Sequence, residues 1–493
     1  MTKTPAAPLP LDLDRASSEP LARQLYDQLR ELILSGRLAG GTRLPSTRAL
    51  AAELGISRNT SVAAFDQLFA EGYVEGTVGA GTFVSTELPD QLPASGRPPQ
   101  PLVEAGALSG PSRRGRMLAG LAPPRARRHR AFAVGVPELG EFPFELWSRL
   151  LGQSWRRPDM TAQVPGDAAG LPGLRAAIAR YLATARAVVC DPEQVIVTSG
   201  VQQGIGLACQ VLLDPGDKVW VEDPGYPGVH GALAGAGMKL APVPVDAEGL
   251  DVAAGEAGAP DARLACVTPS HHYPLGTVMS LPRRLALIEW AARRDGWILE
   301  DDYDSEFRYR GRPLASLQGL DRCGRVIYAG SFSKVMFPSL RLGYLVVPPH
   351  LVDVFRAVRS AIDDHASLIA QPALARFIDD GHFAAHIRRM RRLYAGRQEA
   401  LLEAGRRHLG GLLDLAPDDA GLHLVGRLTP AMGARMDDRE AAWRGGDAGV
   451  ATVALSTYRI RAPQPPALVL GYAAVAEAEI DAAAAALARA LAP

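Results

Sequence analysis

Paired cysteines are what this sequence most plainly lacks. Cys190, Cys209, Cys266 and Cys323 are its only four, each isolated, with no C-x-x-C among them. That spacing excludes a disulfide framework and a cysteine-rich zinc site; no metal centre is expected, and a reducing cytoplasm fits. No apolar run approaches the ~18 residues that cross a bilayer. The opening stretch, MTKTPAAPLPLDLDR, lacks the apolar core of a secretory signal. The expectation is a cytoplasmic chain with no membrane contact. Net charge is missing too: 53 Lys and Arg balance 53 Asp and Glu. Any surface that attracts a polyanion must therefore be local. At 493 residues, 47% of them hydrophobic, the chain is globular and too long for one ordinary domain.

What is present concentrates in Tyr328–Tyr344, YAGSFSKVMFPSLRLGY. An apolar run, Val326-Ile327-Tyr328, opens into small and hydroxyl residues, reaches a single lysine, Lys334, and then Arg341. A lysine among Val, Phe, Met and Leu is poorly solvated, which disfavours its charged form. A neutral amine is the form that attacks a carbonyl to make a Schiff base. Ser331, Ser333 and Arg341 supply hydroxyls and a guanidinium suited to a phosphate dianion. A carbonyl-seeking amine beside a phosphate cradle points to pyridoxal phosphate. Upstream, Trp297-Ile298-Leu299 reads as a short buried strand ending in Glu300-Asp301-Asp302-Tyr303. Open α/β sheets bind ligands at the carboxyl ends of their strands. A carboxylate there can keep a pyridine nitrogen protonated, and the Tyr303 hydroxyl can reach the ring's phenolic oxygen. Between this strand and the lysine a helix-free loop and one more strand are expected.

Two more strand-and-turn units precede these. Val195-Ile196-Val197 runs into Ser199, Gly200, Val201 and Gln202, with a helix expected over Gly204–Leu213. Free backbone N–H groups at such a helix start bind anions. Val219-Trp220-Val221 leads into a Pro- and Gly-rich turn that aims one aromatic ring, Tyr226.

The first 84 residues follow another pattern. Leu21–Ser35 has helical periodicity, and Gly36–Gly41 breaks it. Ser46 caps a second helix, Gly55 makes a tight turn, and Ser57 caps a third helix whose inward residues read as Val62, Phe65, Leu68 and Phe69. Arg58-Asn59-Thr60 form the exposed N-terminal turn of that third helix, the end a recognition helix presents to the major groove. Two strands about Gly76–Ala80 follow as a wing, in which Gly79 and Gly81 allow close approach to a phosphate. Residues 85–130 read as a flexible basic linker, rich in Pro and carrying the tracts SRRGR and RARRHR.

EDDYDSEFRY followed by GSFSK and PSLRLGY resembles the cofactor site of fold-type I aminotransferases, in the wording of the MocR-type regulators of the GntR superfamily. LPSTRALAAELGISRNT…AFDQLFAEGYVEGTVGAGTFV resembles the GntR winged helix nearly end to end. The resemblance implies a multidomain chain: a winged helix-turn-helix over 15–84, the linker over 85–130, and an α/β PLP-dependent transferase domain with large and small subdomains over 131–493. In that scheme Lys334 forms an internal aldimine with pyridoxal phosphate. Asp301 pairs with the pyridine nitrogen, with Asp302 as the alternative. Tyr303 meets the phenolic oxygen, and Tyr226 stacks on the ring. Ser199, Gly200, Val201, Gln202, Ser331, Ser333 and Arg341 hold the phosphate. Arg43, Ser46, Arg48, Ser57, Arg58, Asn59, Thr60, Gly79 and Gly81 face double-stranded operator DNA.

The resemblance also implies a homodimer acting on the nucleoid and responding to an amine or amino acid, or to pyridoxal phosphate itself. The alternative is an active aminotransferase with an appended DNA-binding head. Three departures bear on that choice. The family's Y-G-D-P-x-G phrase is here Pro165-Gly166-Asp167-Ala168-Ala169-Gly170, without its tyrosine. Tyr273-Pro274-Leu275-Gly276 stands where aminotransferases have N-P-T-G, without the asparagine that bonds the phenolic oxygen. Leu468–Tyr472 holds no arginine for a substrate carboxylate, which leaves Arg459 or Arg461 as substitutes. His271 and His272 are given no catalytic role.

Overall fold

A computed structural model describes residues 9–77, 81–88, 110–121, 130–156, 166–311, 314–462 and 464–492. Gly79, Pro165 and most of the 85–130 stretch lie outside the described residues. The chain divides into two compact units, Met1–Gly110 and Pro111–Pro493.

The first unit holds three helices, α1 (Leu21–Leu34), α2 (Thr47–Glu53) and α3 (Arg58–Ala70), and an antiparallel hairpin of β1 (Val74–Thr77) and β2 (Gly81–Val84). Ser46 and Ser57 cap α2 and α3, accepting from the backbone N–H of Ala49 and Thr60. Gly55, at φ +64°, makes the turn between them in a region that favours glycine. Leu25, Leu29, Ile33, Leu50, Phe65 and Leu68 are buried together and fix the three helices as one body. Phe69 is a correction: it is 39% exposed, and Ser61 and Ala64 fill the inward face with Phe65 and Leu68. Hydrophobic character alone placed Phe69 inward. The actual stripe follows positions 61, 64, 65 and 68, spaced as a helix face requires.

The second unit is built on an eight-stranded sheet ordered β3-β10-β9-β8-β7-β4-β5-β6. Its strands are β3 (Val195–Thr198), β4 (Lys218–Asp223), β5 (Lys239–Asp246), β6 (Gly249–Leu250), β7 (Ala262–Val267), β8 (Trp297–Asp302), β9 (Val326–Ser331) and β10 (Gly343–Val346). Strands β5, β4, β7, β8 and β9 run parallel, and β10 runs antiparallel to both β9 and β3. Hence β3, β4, β7, β8 and β9 all end at one edge. Strands β3, β4 and β8 are buried along both faces, as the apolar runs VIV, VWV and WIL require. Trp220 on β4 stacks on Trp290 of the helix Leu281–Arg293 at 4.1 Å between ring centres.

A smaller sheet, β11 (Leu413–Leu415), β12 (His423–Leu428), β14 (Ala467–Gly471) and β13 (Val453–Ala454) in that order, lies toward the C-terminus. The incoming chain is stitched to it: Gly471 N–H donates to Phe132 O, and Ala451 N–H to Ala131 O. Three local expectations are revised. The helix after β3 begins at Val201 rather than Gly204, because Gly200 at φ +119° turns the chain at once. Arg113–Gly120, within the basic stretch, forms a helix capped by Ser112, and Arg114 bonds Gly235 O. The stretch between β8 and β9 carries the short helix Leu317–Leu320, whose first N–H groups Glu300 accepts.

Trp290→Ala should remove a fully buried aromatic and its stacking partner contact, costing about 3–5 kcal/mol. The check is the midpoint of urea unfolding followed by far-UV circular dichroism; an unchanged midpoint would contradict this account of the core.

Candidate functional site: a lysine cleft at the carboxyl edge of the sheet

The strand ends converge on a cavity of about 320 Å³. Of the cofactor residues expected from sequence, Lys334, Asp301, Tyr303, Tyr226, Gly200, Val201, Gln202, Ser331, Ser333 and Arg341 line it together. Ser199 does not line it, and its N–H is taken by the Gln203 side chain.

Strand alternation separates the three acids at the end of β8. Successive side chains point to opposite faces. Asp302 is paired with Arg186 at 2.6 Å and accepts from the Tyr328 hydroxyl at 2.5 Å. Glu300, on the same face, accepts from the N–H groups of Leu317 and Gln318. Asp301 points the other way, into the cavity, and its Oδ1 is buried with no hydrogen-bond partner among the described residues. Burial, then the charges of Asp302 and Asp304, push its carboxyl up to about 7, with Lys334 opposing. The alternation thus favours Asp301 over Asp302 as the carboxylate for a bound ring.

Lys334 follows β9 and donates to Gly135 O at 2.7 Å. Burial pulls its amine below the usual lysine range, against the pull of Asp304 and Asp301. Gly135 has φ +75°, and a side-chain carbon there would sit 2.8 Å from the amine, so the approach needs a glycine. At one end of the cavity, Gly200 and the first turn of the helix Val201–Leu212 meet Arg341. A Cβ on Gly200 would lie 3.5 Å from the Arg341 guanidinium. Arg341 itself is in the left-handed region at φ +50°, a costly conformation for a non-glycine residue that surrounding structure must impose. Backbone N–H groups, two serine hydroxyls and a guanidinium are groups suited to an anion.

The cavity is also lined by residues to which the sequence reading gave no binding role, among them Thr268, Tyr273, Leu422 and His423. Tyr273 meets Tyr226, Tyr303 and Tyr458 edge to face. Its hydroxyl donates to that of Tyr458 at 3.0 Å, so it does not replace the missing asparagine. His423 is pushed down to about 4, chiefly by burial and then by the charge of His271. It reaches the cavity from β12 of the small sheet, and no local pattern in the sequence marks it. Arg459 and Arg461 are exposed and do not line the cavity. The backbone of their segment is pinned elsewhere, with the N–H groups of Ile460, Arg461 and Ala462 all donating to the buried Asp223.

His271 contacts the Tyr303 hydroxyl at 3.1 Å and Asp304 at 3.0 Å through Nδ1, and Asp418 at 3.2 Å through Nε2. Burial alone would lower its basicity, but the charges and hydrogen bonds of Asp304 and Asp418 outweigh burial and push it up to about 10. In the first unit, Arg43, Ser46, Arg48, Ser57, Arg58, Asn59 and Gly81 are exposed and Thr60 half-buried. Arg43 lies against Gly81 of the wing. The hydroxyls of Ser57 and Thr60 are bonded to each other at 2.8 Å.

Residues 21–84 match the family "Bacterial regulatory proteins, gntR family", and residues 158–487 match "Aminotransferase class I and II". Along the whole chain, the "Probable rhizopine catabolism regulatory protein MocR" of Rhizobium meliloti is 45% identical over 469 residues, covering 94% of this chain and 92% of that one. The chain is a GntR-family transcriptional regulator of the MocR type. The regulator TauR of Rhodobacter capsulatus is 37% identical, over 78% of this chain and 79% of its own. Among solved structures, a Pyrococcus horikoshii kynurenine aminotransferase in complex with PMP has a TM-score of 0.67 at 26% identity, covering 79% of this chain and 96% of its own. Thermus thermophilus α-aminoadipate aminotransferase LysN, complexed with N-(5'-phosphopyridoxyl)-L-leucine, has a TM-score of 0.66 at 27% identity, covering 77% and 94%. This MocR-type regulator binds DNA through its GntR unit, and its second unit has the fold-type I aminotransferase architecture. Pyridoxal phosphate fits the residues present: the unpartnered Asp301 oxygen suits a ring N–H, the Gly200–Arg341 end suits a phosphate, and the Lys334 amine lies in the same cavity. No helix among the described residues is long and apolar enough to cross a membrane.

His271 yields a pH prediction. Its folded value lies above the ordinary 6.5, so the stability it contributes is fully present below about 6.5 and is lost as pH rises toward about 10. His271→Gln should therefore lower the melting temperature most at pH 6 and least near pH 10. Melting curves of both proteins across that range check it; a gap that widens with pH would refute the assignment.

Proposed function

We propose that this regulator reports an amine to its operator through pyridoxal phosphate held in the lysine cleft. The observation that carries the reading is one cavity shared by a buried lysine amine and an unpartnered buried carboxylate, in a chain that also carries a GntR head. When bound, the cofactor supplies an electrophilic carbon for an amine and a ring that withdraws electrons. The chain's own residues do the rest. Lys334 would supply the amine that holds the cofactor's carbonyl carbon. Asp301 keeps a proton on the ring nitrogen. Tyr303 donates to the phenolic oxygen, Tyr226 covers a ring face, and Gly200, Val201, Gln202, Ser331, Ser333 and Arg341 hold the phosphate. Tyr273, His423 and Leu422 exclude water from the side the ligand enters.

The effector is a primary amine, an amino acid among the candidates. Arg341 is the one guanidinium lining the cavity among the described residues, and it lies at the phosphate end. An amine without an α-carboxylate therefore belongs in any ligand panel. The protein works as a homodimer in the cytoplasm, on nucleoid DNA, and the effector changes operator affinity only as far as it binds the two states of the dimer unequally. The alternative, a working aminotransferase, is favoured by the intact lysine, aspartate and phosphate groups. It is disfavoured by Tyr273 in the asparagine position.

Lys334→Ala should abolish the visible absorption of the cofactor-loaded protein while the protein stays folded and soluble. An unchanged spectrum would end the cofactor reading. Titrating the loaded protein with amines and amino acids separates the two functions. A ligand that changes the spectrum and stops there is an effector; a ligand whose change a keto acid reverses is a substrate. Arg58→Ala should weaken operator binding roughly 10-fold, as loss of one base or phosphate contact does, with cofactor content unaltered. Fluorescence anisotropy with footprinted operator DNA reads it, and unaltered affinity would move the reading surface off α3.

A further inference from the structure

Two carboxylates hold the His271 ring from opposite sides. Asp304 Oδ2 lies 3.0 Å from Nδ1 and Asp418 Oδ2 lies 3.2 Å from Nε2. Carboxylates accept hydrogen bonds when ionised, and one of them against each ring nitrogen favours a proton on both, the imidazolium form. The same Nδ1 lies 3.1 Å from the Tyr303 hydroxyl oxygen. Tyr303 lines the cofactor cavity, whereas His271 lies behind it and does not. Asp418 comes from the segment just before β12, and that segment is docked closely on the strand-end loop. Tyr309 N–H donates to Asp419 O, Gly421 N–H donates to Phe307 O, and the Tyr309 hydroxyl bonds Gly421 O. Any side chain on Gly421 would collide with the His271 ring, and any on Gly276 with the Asp418 carboxylate. The whole arrangement is closed around His271, which is fully buried.

Resting on the cofactor reading above, we propose that His271 is the positioning residue for Tyr303. Its imidazolium is clamped by Asp304 and Asp418, and the one Nδ1–H is shared between the Asp304 carboxylate and the Tyr303 oxygen, which favours the Tyr303 proton pointing into the cavity at the cofactor's phenolic oxygen. A neutral ring in its Nε2–H tautomer would do the opposite. With Nδ1 unprotonated it would take the tyrosine's proton for itself. Asp304 is also a hydrogen-bond partner of the Tyr303 hydroxyl, so it competes for the tyrosine's proton, and its pairing with the imidazolium weakens that competition. The other groups around the ring add no rival charge. His423, 5.8 Å away between ring centres, is pushed down to about 4, and the adjacent His272 to about 3, in both cases chiefly by burial, so both are neutral near pH 7.

The test uses the full-length protein loaded with pyridoxal phosphate and reads the pH at which its visible absorption changes form. The positive charge and the tyrosine hydrogen bond both favour the less protonated form, so His271→Gln should raise the midpoint by roughly one unit. Tyr303→Phe should raise it too. In the Tyr303→Phe background, adding His271→Gln should move it much less than in the wild type, since residues acting through one another are not additive. A merely structural His271 would lower stability without moving the midpoint, and fully additive shifts would show that it acts independently of Tyr303; either overturns the proposal. The wild-type band separately reports the cofactor reading, because its absence defeats that reading before any variant is compared. If His271→Gln does not fold, the 15N shifts of the ring in histidine-labelled wild-type protein decide the matter. Both nitrogens protonated at pH 8 supports the clamp, and a neutral ring overturns it.

Discussion

Everything in the second unit is arranged around keeping a lysine amine and an aspartate carboxyl in the same water-poor cleft. Each alone is costly to bury as an ion, and each is drawn toward its neutral form by the burial that brings them together. The sheet makes this tolerable by placing them at the carboxyl edges of β8 and β9, adjacent parallel strands in register from Ile298–Val326 to Asp302–Gly330. The helix after β3 closes the cleft from a third strand end, so the anion site and the amine share one cavity. None of these groups has a full set of partners among the described residues, which is what a site shaped for a ring, a phosphate and a carbonyl carbon should show.

The second constraint is the removal of unwanted charge. Four acidic residues, Glu300, Asp301, Asp302 and Asp304, sit within five positions of the β8 terminus. Asp302 is neutralised by Arg186, Glu300 is held by two backbone N–H groups, and Asp304 is held by His271. Asp301 is the member left facing the cavity. Removing the partner of any buried ion leaves an uncompensated charge, a penalty larger than the pair's own net worth. The supporting residues therefore matter to the site although they do not line it. The small sheet contributes on the same terms, with Asp418 behind Tyr303 and His423 in the wall.

The division of the chain explains why a regulator retains so much of an aminotransferase. The first unit carries a complete hydrophobic core of its own, so DNA contact does not require the second unit's cleft for its folding. The second unit supplies a cavity in which a buried lysine amine and an unpartnered carboxylate meet. Tyr273, bonded to Tyr458 where enzymes place an asparagine, fills the space without tuning the phenolic oxygen. His271, on the far side of Tyr303, takes up that tuning.

Much of this was legible in the residues. The Lys334 segment, the acidic end of β8, the glycine turn before Val201 and the order of helix, turn, helix and wing are local patterns. Each carries its meaning within about twenty residues, because strand ends, helix starts and caps are decided by neighbouring backbone. The sequence put Asp301 first with Asp302 as the alternative, and strand alternation along β8 supplies a physical reason for that order. His271, His423, Gly135 and Asp418 had no legible role, since they meet the site from positions far apart along the chain. What the sequence by itself determined was the chemistry available and the two-part plan. What only the tertiary structure decided was which buried charges are neutralised and which one is left facing the cavity, because that depends on contacts between segments 17 to 147 residues apart along the chain.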